Sequence, residues 1–137
     1  TDQKSQRGGT IVLGTIQGDM HDLGKNIVRT MLEASGFTVH DLGCNVAPRS
    51  YIDKGEEIGA DIIAASAILT ITMGYMPDLS KILHEMGKRE KFKILVGGGP
   101  VTADFAKDAD ADGYAENAAE GVKIAQDLCK NAKGGSK

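Results

Sequence analysis

Thr10-Ile11-Val12-Leu13-Gly14-Thr15-Ile16, running into Gly18-Asp19-Met20-His21-Asp22-Leu23-Gly24, is the stretch that decides how this chain folds. The short β-branched apolar run reads as a strand. The glycines and acids behind it make a loop before helical spacing sets in at Ile27, Met31 and Leu32. Ser35-Gly36 stops that helix, because a glycine can take the left-handed backbone that closes a helix C-terminus. Strand, loop and helix in that order form the unit of a parallel sheet whose crossovers carry the helices.

The unit recurs along the chain. Phe37 to Leu42 reads as a second strand, and Pro48 opens a helix that ends near Gly59, since proline is tolerated in a first turn. Asp61-Ile62-Ile63-Ala64-Ala65-Ser66 is almost wholly apolar, as a central strand covered on both faces must be. Leu79, Ile82, Leu83 and Met86 mark a third helix, Lys93 to Gly97 a fourth strand, and Ala103 to Ala109 a short helix. A brief fifth strand is expected at Gly113-Tyr114, then a last helix with Val122, Ala125 and Leu128 buried, ending before Gly134-Gly135. The predicted fold class is α/β: a doubly wound, flavodoxin-like (Rossmann-like) five-stranded parallel sheet flanked by about five helices.

The chain has 137 residues, 41% of them hydrophobic, enough for one buried core. One domain is expected over 10–130, between a polar linker at 1–9 and a flexible tail at 131–137. The opening lacks a Met and ends in Gly8-Gly9, as a linker cut from a longer protein or a processed terminus would. A net charge of -3 without a basic stripe argues against nucleic acid, and Lys88, Arg89, Lys91 and Lys93 read as a solvated helix end. No apolar run is long enough to span a bilayer, so no membrane partner is expected. Two cysteines, Cys44 and Cys129, are too few and too far apart for a disulfide framework, which points to a reducing compartment and the cytoplasm.

Doubly wound sheets bind ligands beyond the carboxyl ends of their strands, and the unusual residues of this chain fall there. They are Gly18 to Gly24 after strand one, Ser66 to Thr72 after strand three and Gly97-Gly98-Gly99 after strand four. A loop histidine such as His21 can ligate a metal through one ring nitrogen while Asp19, two residues away, accepts the N–H of the other. The competing reading has Asp22 capping the helix and His21 pointing into water. No second His or Cys stands at ligand spacing, so a protein-only zinc site is poorly supported, and a single ligand suits a metal that brings its own equatorial cage. The triple glycine lacks a phosphate-loop frame and serves better to leave room for a flat or bulky group. The hydroxyls of Ser66 and Thr70 can face the same cleft. His40, on a strand, and His84, on a helix, read as surface or packing residues, and Cys44 as a small buried one.

The frame Asp19-x-His21-x-x-Gly24, then 41 residues, Ser66-x-Ile68, then 28 residues and Gly97-Gly98 resembles the signature of the base-off, His-on cobalamin-binding family. The likeness runs from Thr10 to about Lys130, with Ile68 where that family usually has leucine. It implies a cobalamin or related cobamide as cofactor, with His21 the axial cobalt ligand and Asp19 orienting it. Gly18, Met20, Asp22, Leu23 and Gly24 would complete the cofactor loop. Ser66, Ile68 and Thr70 would lie against the nucleotide tail, Gly97 and Gly98 would keep its channel open, and Tyr114 and Ala115 would sit near it.

Gly18 to Val28, with Ser66 to Met73 and Asp112 to Ala115, is most similar to corrinoid proteins of methyltransferase systems, relatives of the cobalamin domain of methionine synthase. That likeness implies a methyl carrier, loaded as methylcobamide. It would work between a substrate-specific methyltransferase and an acceptor methyltransferase using tetrahydrofolate or a thiol. A reductive activation protein and an N-terminal helical cap absent from this chain would be further partners. No nucleophile, general base and substrate pocket are complete within the chain, so little turnover is expected of it alone. The alternatives are the small subunit of an adenosylcobalamin-dependent mutase, a cobalamin-based sensor, and a flavodoxin-like binding or signalling module without cobalt.

Overall fold

Alternate residues of the central strands face opposite sides of the sheet, so each strand feeds two cores. The computed structural model describes the backbone of residues 9–135 and the side chains of residues 9–130; residues 1–8 and 136–137, within the expected linker and tail, lie outside the described residues. Ile11, Leu13, Ile62, Ala64 and Leu95 pack on one side with Leu32, Phe37, Ala125 and Leu128. Val12, Ile63, Ala65, Ile94 and Val96 pack on the other with Tyr51, Ile52, Leu79, Leu83 and Phe92.

Five parallel strands, β1 (Gly9–Thr15), β2 (Phe37–Asp41), β3 (Ile62–Ser66), β4 (Lys93–Gly97) and β5 (Gly113–Ala115), lie in the order β2-β1-β3-β4-β5. Helices α1 (Leu23–Ala34) and α6 (Ala118–Gly135) cover the first side; α2 (Pro48–Ile58), α4 (Pro77–Glu85) and α5 (Ala103–Asp108) cover the second. A single turn, α3 (Thr70–Met73), was not foreseen, and a 3-10 turn spans Arg89–Lys91. The doubly wound expectation holds. At its edges the chain differs: Gly9 already belongs to β1 rather than to the linker, and the backbone of α6 continues through the expected tail to Gly135.

The helix that follows β1 lies on the first side and those that follow β3 and β4 on the second, so the carboxyl edge between β1 and β3 is the switch point of the sheet. One buried ion pair anchors the start of α1 there. Lys25, 4% exposed, places Nζ 2.6 Å from Asp41 Oδ2 at the end of β2. Burial pushes the Asp41 carboxyl up, but the Lys25 contact, the Gly43 amide and the Arg29 charge bring it below its usual range.

Gly98 fixes how closely two of the rim loops approach. Its φ is +123°, and a Cβ there would lie 1.9 Å from the Ala67 carbonyl oxygen, whereas Gly99 has open space around it. Gly98→Ala should therefore lower stability by about 3 kcal/mol, combining backbone strain with overpacking. Gly99→Ala should stay within about 0.5 kcal/mol of the parent. Urea unfolding followed by circular dichroism separates the two; equal midpoints would show that the loops are free to move apart.

Candidate functional site

Small residues at the carboxyl ends of the strands leave a cavity of about 320 Å³ between the sheet and helices α1 and α6. Its floor is Leu13, Ala64, Ala65, Leu95 and Val96; Gly97, Gly98 and Gly99 form one wall and Ala115, Ala118 and Gly121 another. Larger side chains here would fill it: a Cβ on Gly97 would already come within 3.0 Å of the Ala115 carbonyl oxygen. The lining is predominantly apolar, with the Ser66 hydroxyl and Asn117 among its few polar groups.

His21 stands on the β1–α1 loop among the cavity's lining residues, its side chain 56% exposed. Its Nδ1 lies 2.8 Å from Asp19 Oδ1, so the ring donates its Nδ1 proton to that carboxylate and leaves Nε2, an acceptor, without a partner among the described residues. Asp19 has no exposed side-chain surface. A buried carboxylate is tolerated only when its lone pairs are filled, and here they are. Oδ1 also takes the His21 amide at 3.2 Å, and Oδ2 takes the Ile68 amide at 2.7 Å, the Leu69 amide at 3.1 Å and the Thr72 hydroxyl at 2.9 Å. Burial pushes the carboxyl up, but the Ile68 amide, the His21 ring, the Leu69 amide and the Thr72 hydroxyl outweigh it and hold the group well below the usual carboxylate range.

Of the residues picked out from sequence, His21, Gly24, Ser66, Ile68, Gly97, Gly98 and Ala115 come together around the cavity. Gly18, Met20, Asp22 and Leu23 belong to the His21 loop but do not line it, and Met20 and Leu23 are exposed at 69% and 74%. Two of the expected residues stand apart from the cavity. Thr70 is exposed at the first position of α3 and is not among the residues lining the cavity; it is the hydroxyl of Thr72, one of the most buried polar residues, that reaches Asp19. Tyr114 packs toward the α2, α4 and α5 side, because alternation along β5 sends only Ala115 toward the cavity. Asp22 does stand at the N-cap of α1, yet its side chain makes no capping hydrogen bond. Cys44 is half-buried on an open groove rather than enclosed, and His84 lies 3.2 Å from Asp110 on the surface. Among the described residues no three His, Cys, Asp or Glu side chains gather as a metal cage, and no helix is long and apolar enough to cross a membrane.

Residues 9–123 match the B12 binding domain family. The chain is 47% identical over 124 residues to dimethylamine corrinoid protein 3 of Methanosarcina mazei, covering 90% of this chain and 74% of that one. It spans less of other relatives, 58% of a dimethylamine corrinoid protein of Methanosarcina acetivorans for example. The fold superimposes on a cobalamin-binding protein from Desulfitobacterium hafniense with a TM-score of 0.84 at 42% identity, covering 90% of this chain and 60% of that one. It also superimposes on a chain of the methanol:cobalamin methyltransferase complex from Methanosarcina barkeri, with a TM-score of 0.83 at 34% identity, covering 90% of this chain and 47% of that one.

Asp19→Asn tests the carboxylate directly. The amide replaces one acceptor oxygen by a donor, leaving at least two of the five converging donors unanswered, and should cost on the order of 3 kcal/mol. A carboxyl lowered in the folded state contributes stability above its unfolded value, here 3.8, and that contribution is lost as pH falls below it. Unfolding midpoints of the wild type should thus drop on acidification below that value, and drop less in Asp19→Asn. Parallel acid profiles would show that the carboxylate is not held as described.

Proposed function

Since this chain belongs to the B12 binding domain family, we propose that it is the corrinoid carrier of a methyltransferase system, holding a cobamide with His21 as the cobalt's axial ligand. The observation that carries this reading is the single imidazole whose Nδ1 is locked on a buried carboxylate and whose Nε2 is unpartnered beside a slot among small residues. The donor set fits the group. A metal wrapped in a macrocycle needs one protein ligand and a cleft for its nucleotide appendage, and both are present on one rim.

When bound, the cobamide supplies a cobalt centre that accepts a methyl group from one substrate and releases it to another. The chain's own residues do the rest. Asp19 holds the proton of the neutral ring on Nδ1, so in that tautomer Nε2 is the acceptor nitrogen, and the carboxylate's charge makes it the better donor to a metal. The backbone amides of Ile68 and Leu69 with the Thr72 hydroxyl keep Asp19 ionised, which ties the loop after β3 to the loop after β1. Ser66 presents a hydroxyl to the nucleotide tail, while Gly97 and Gly98 keep side chains out of its path.

In this reading a substrate-specific methyltransferase loads the carrier and an acceptor methyltransferase unloads it, in the cytoplasm, with reductive activation by a further protein. The methylamine corrinoid relative and the structure from a methyltransferase complex favour this over a mutase subunit or a sensor. The exposed Met20, Leu23 and Ile68 around His21 offer the upper rim on which a macrocycle rests.

Purified protein mixed with hydroxocobalamin should yield a red complex of one cofactor per chain after desalting. His21→Ala should still take up the cofactor but with a shifted visible spectrum. Identical spectra with cofactor bound in both would refute ligation by His21, and a colourless wild type would refute the carrier role.

A further inference from the structure

Asp19 accounts for the ring and the amide of His21, but not for its carbonyl. That oxygen is held from the other side by Thr15, the last residue of β1. Thr15 is fully buried, and its Oγ1 lies 2.9 Å from the His21 carbonyl oxygen. A carbonyl can only accept, so the single hydroxyl proton of Thr15 is committed to it. Thr15 Oγ1 also lies 3.3 Å from Ser66 Oγ, its register partner on β3, whose hydroxyl can therefore donate to Thr15. The backbone of His21 is thus gripped on both sides, at its N–H by Asp19 and at its C=O by a rigid strand end, and Thr15 is joined in turn to Ser66, a polar residue lining the cavity.

We propose that Thr15 is a positioning residue for His21, fixing the backbone from which the imidazole reaches the cobalt. The inference rests on the carrier reading above. Asp19 sets which nitrogen is free, and Thr15 sets where that nitrogen stands. Without the hydroxyl the His21 carbonyl loses its partner, and the peptide group that follows His21 is no longer held to the strand end. The cavity walls do not involve the Thr15 side chain, so room for the nucleotide tail is untouched.

The experiment compares Thr15→Val, which keeps shape and removes the hydroxyl, with Thr15→Ser, which keeps it, each loaded with cobalamin. In Thr15→Val the ratio of His-ligated to unligated cofactor, read from the visible spectrum, should fall about five- to tenfold, and Thr15→Ser should restore it. In a His21→Ala background, Thr15→Val should change cobalamin affinity by less than about twofold, far less than it changes the ligation ratio in the parent, as expected of a residue that acts chiefly through His21. A wild-type ratio in Thr15→Val, alongside a spectrum that still responds to His21→Ala, would overturn the role of Thr15 while leaving the carrier reading intact. Equal loss of affinity in both backgrounds would show general structural damage and overturn it too. A wild-type spectrum indifferent to His21→Ala would bring down both readings together.

Discussion

A carboxylate with no access to water must collect hydrogen-bond donors or give up its charge, and Asp19 collects them from three places in the chain. Its partners come from the His21 ring and amide, from two successive amides after β3, and from the first turn of α3. These elements are close only because β1 and β3 are adjacent in the sheet. The topology therefore creates the pocket for the carboxylate, and the carboxylate in turn fixes the histidine. Charge-assisted hydrogen bonds to an ionised acceptor are the strong ones, which is why one acidic side chain can hold two loops in register.

The slot arises from the opposite tactic, the withholding of side chains. Elsewhere the strands carry Ile, Leu and Val, but toward the carboxyl edge they change to Ala64, Ala65, Gly97 and Ala115. The apolar faces that stabilise the fold thus thin out where a ligand must enter. Gly98, pressed against the Ala67 carbonyl, draws the β4 loop close to the β3 loop and closes that side of the cleft. Stability and vacancy are divided along the length of the same strands.

Much of this was legible in the chain because strands and helices announce themselves by period and punctuation. Five strands, their helices and the three unusual loops all stand where the alternation places them, and the Asp19 to His21 spacing declared its own hydrogen bond. The phase of a single helical turn was not legible. Thr70 and Thr72 are two residues apart, which is about 200° around a helix, and only the start of α3 at Thr70 decides which hydroxyl meets Asp19. Tyr114 posed the same problem with a period of two on a three-residue strand. The role of Thr15 was hidden for another reason: at the end of a buried strand a threonine reads as β-propensity, and nothing local shows that its hydroxyl finds a loop carbonyl.

The central claim is that one nitrogen of His21 is bonded to cobalt while the other is tied to Asp19. Electron paramagnetic resonance of the cobalt(II) form, prepared from protein carrying nitrogen-15 only in histidine, tests it most directly. If His21 is the axial ligand, the triplet superhyperfine splitting of nitrogen-14 becomes a doublet on labelling, and the doublet is absent in His21→Ala. A triplet that survives labelling would mean that the cofactor's own base stays on the metal, and would contradict the account.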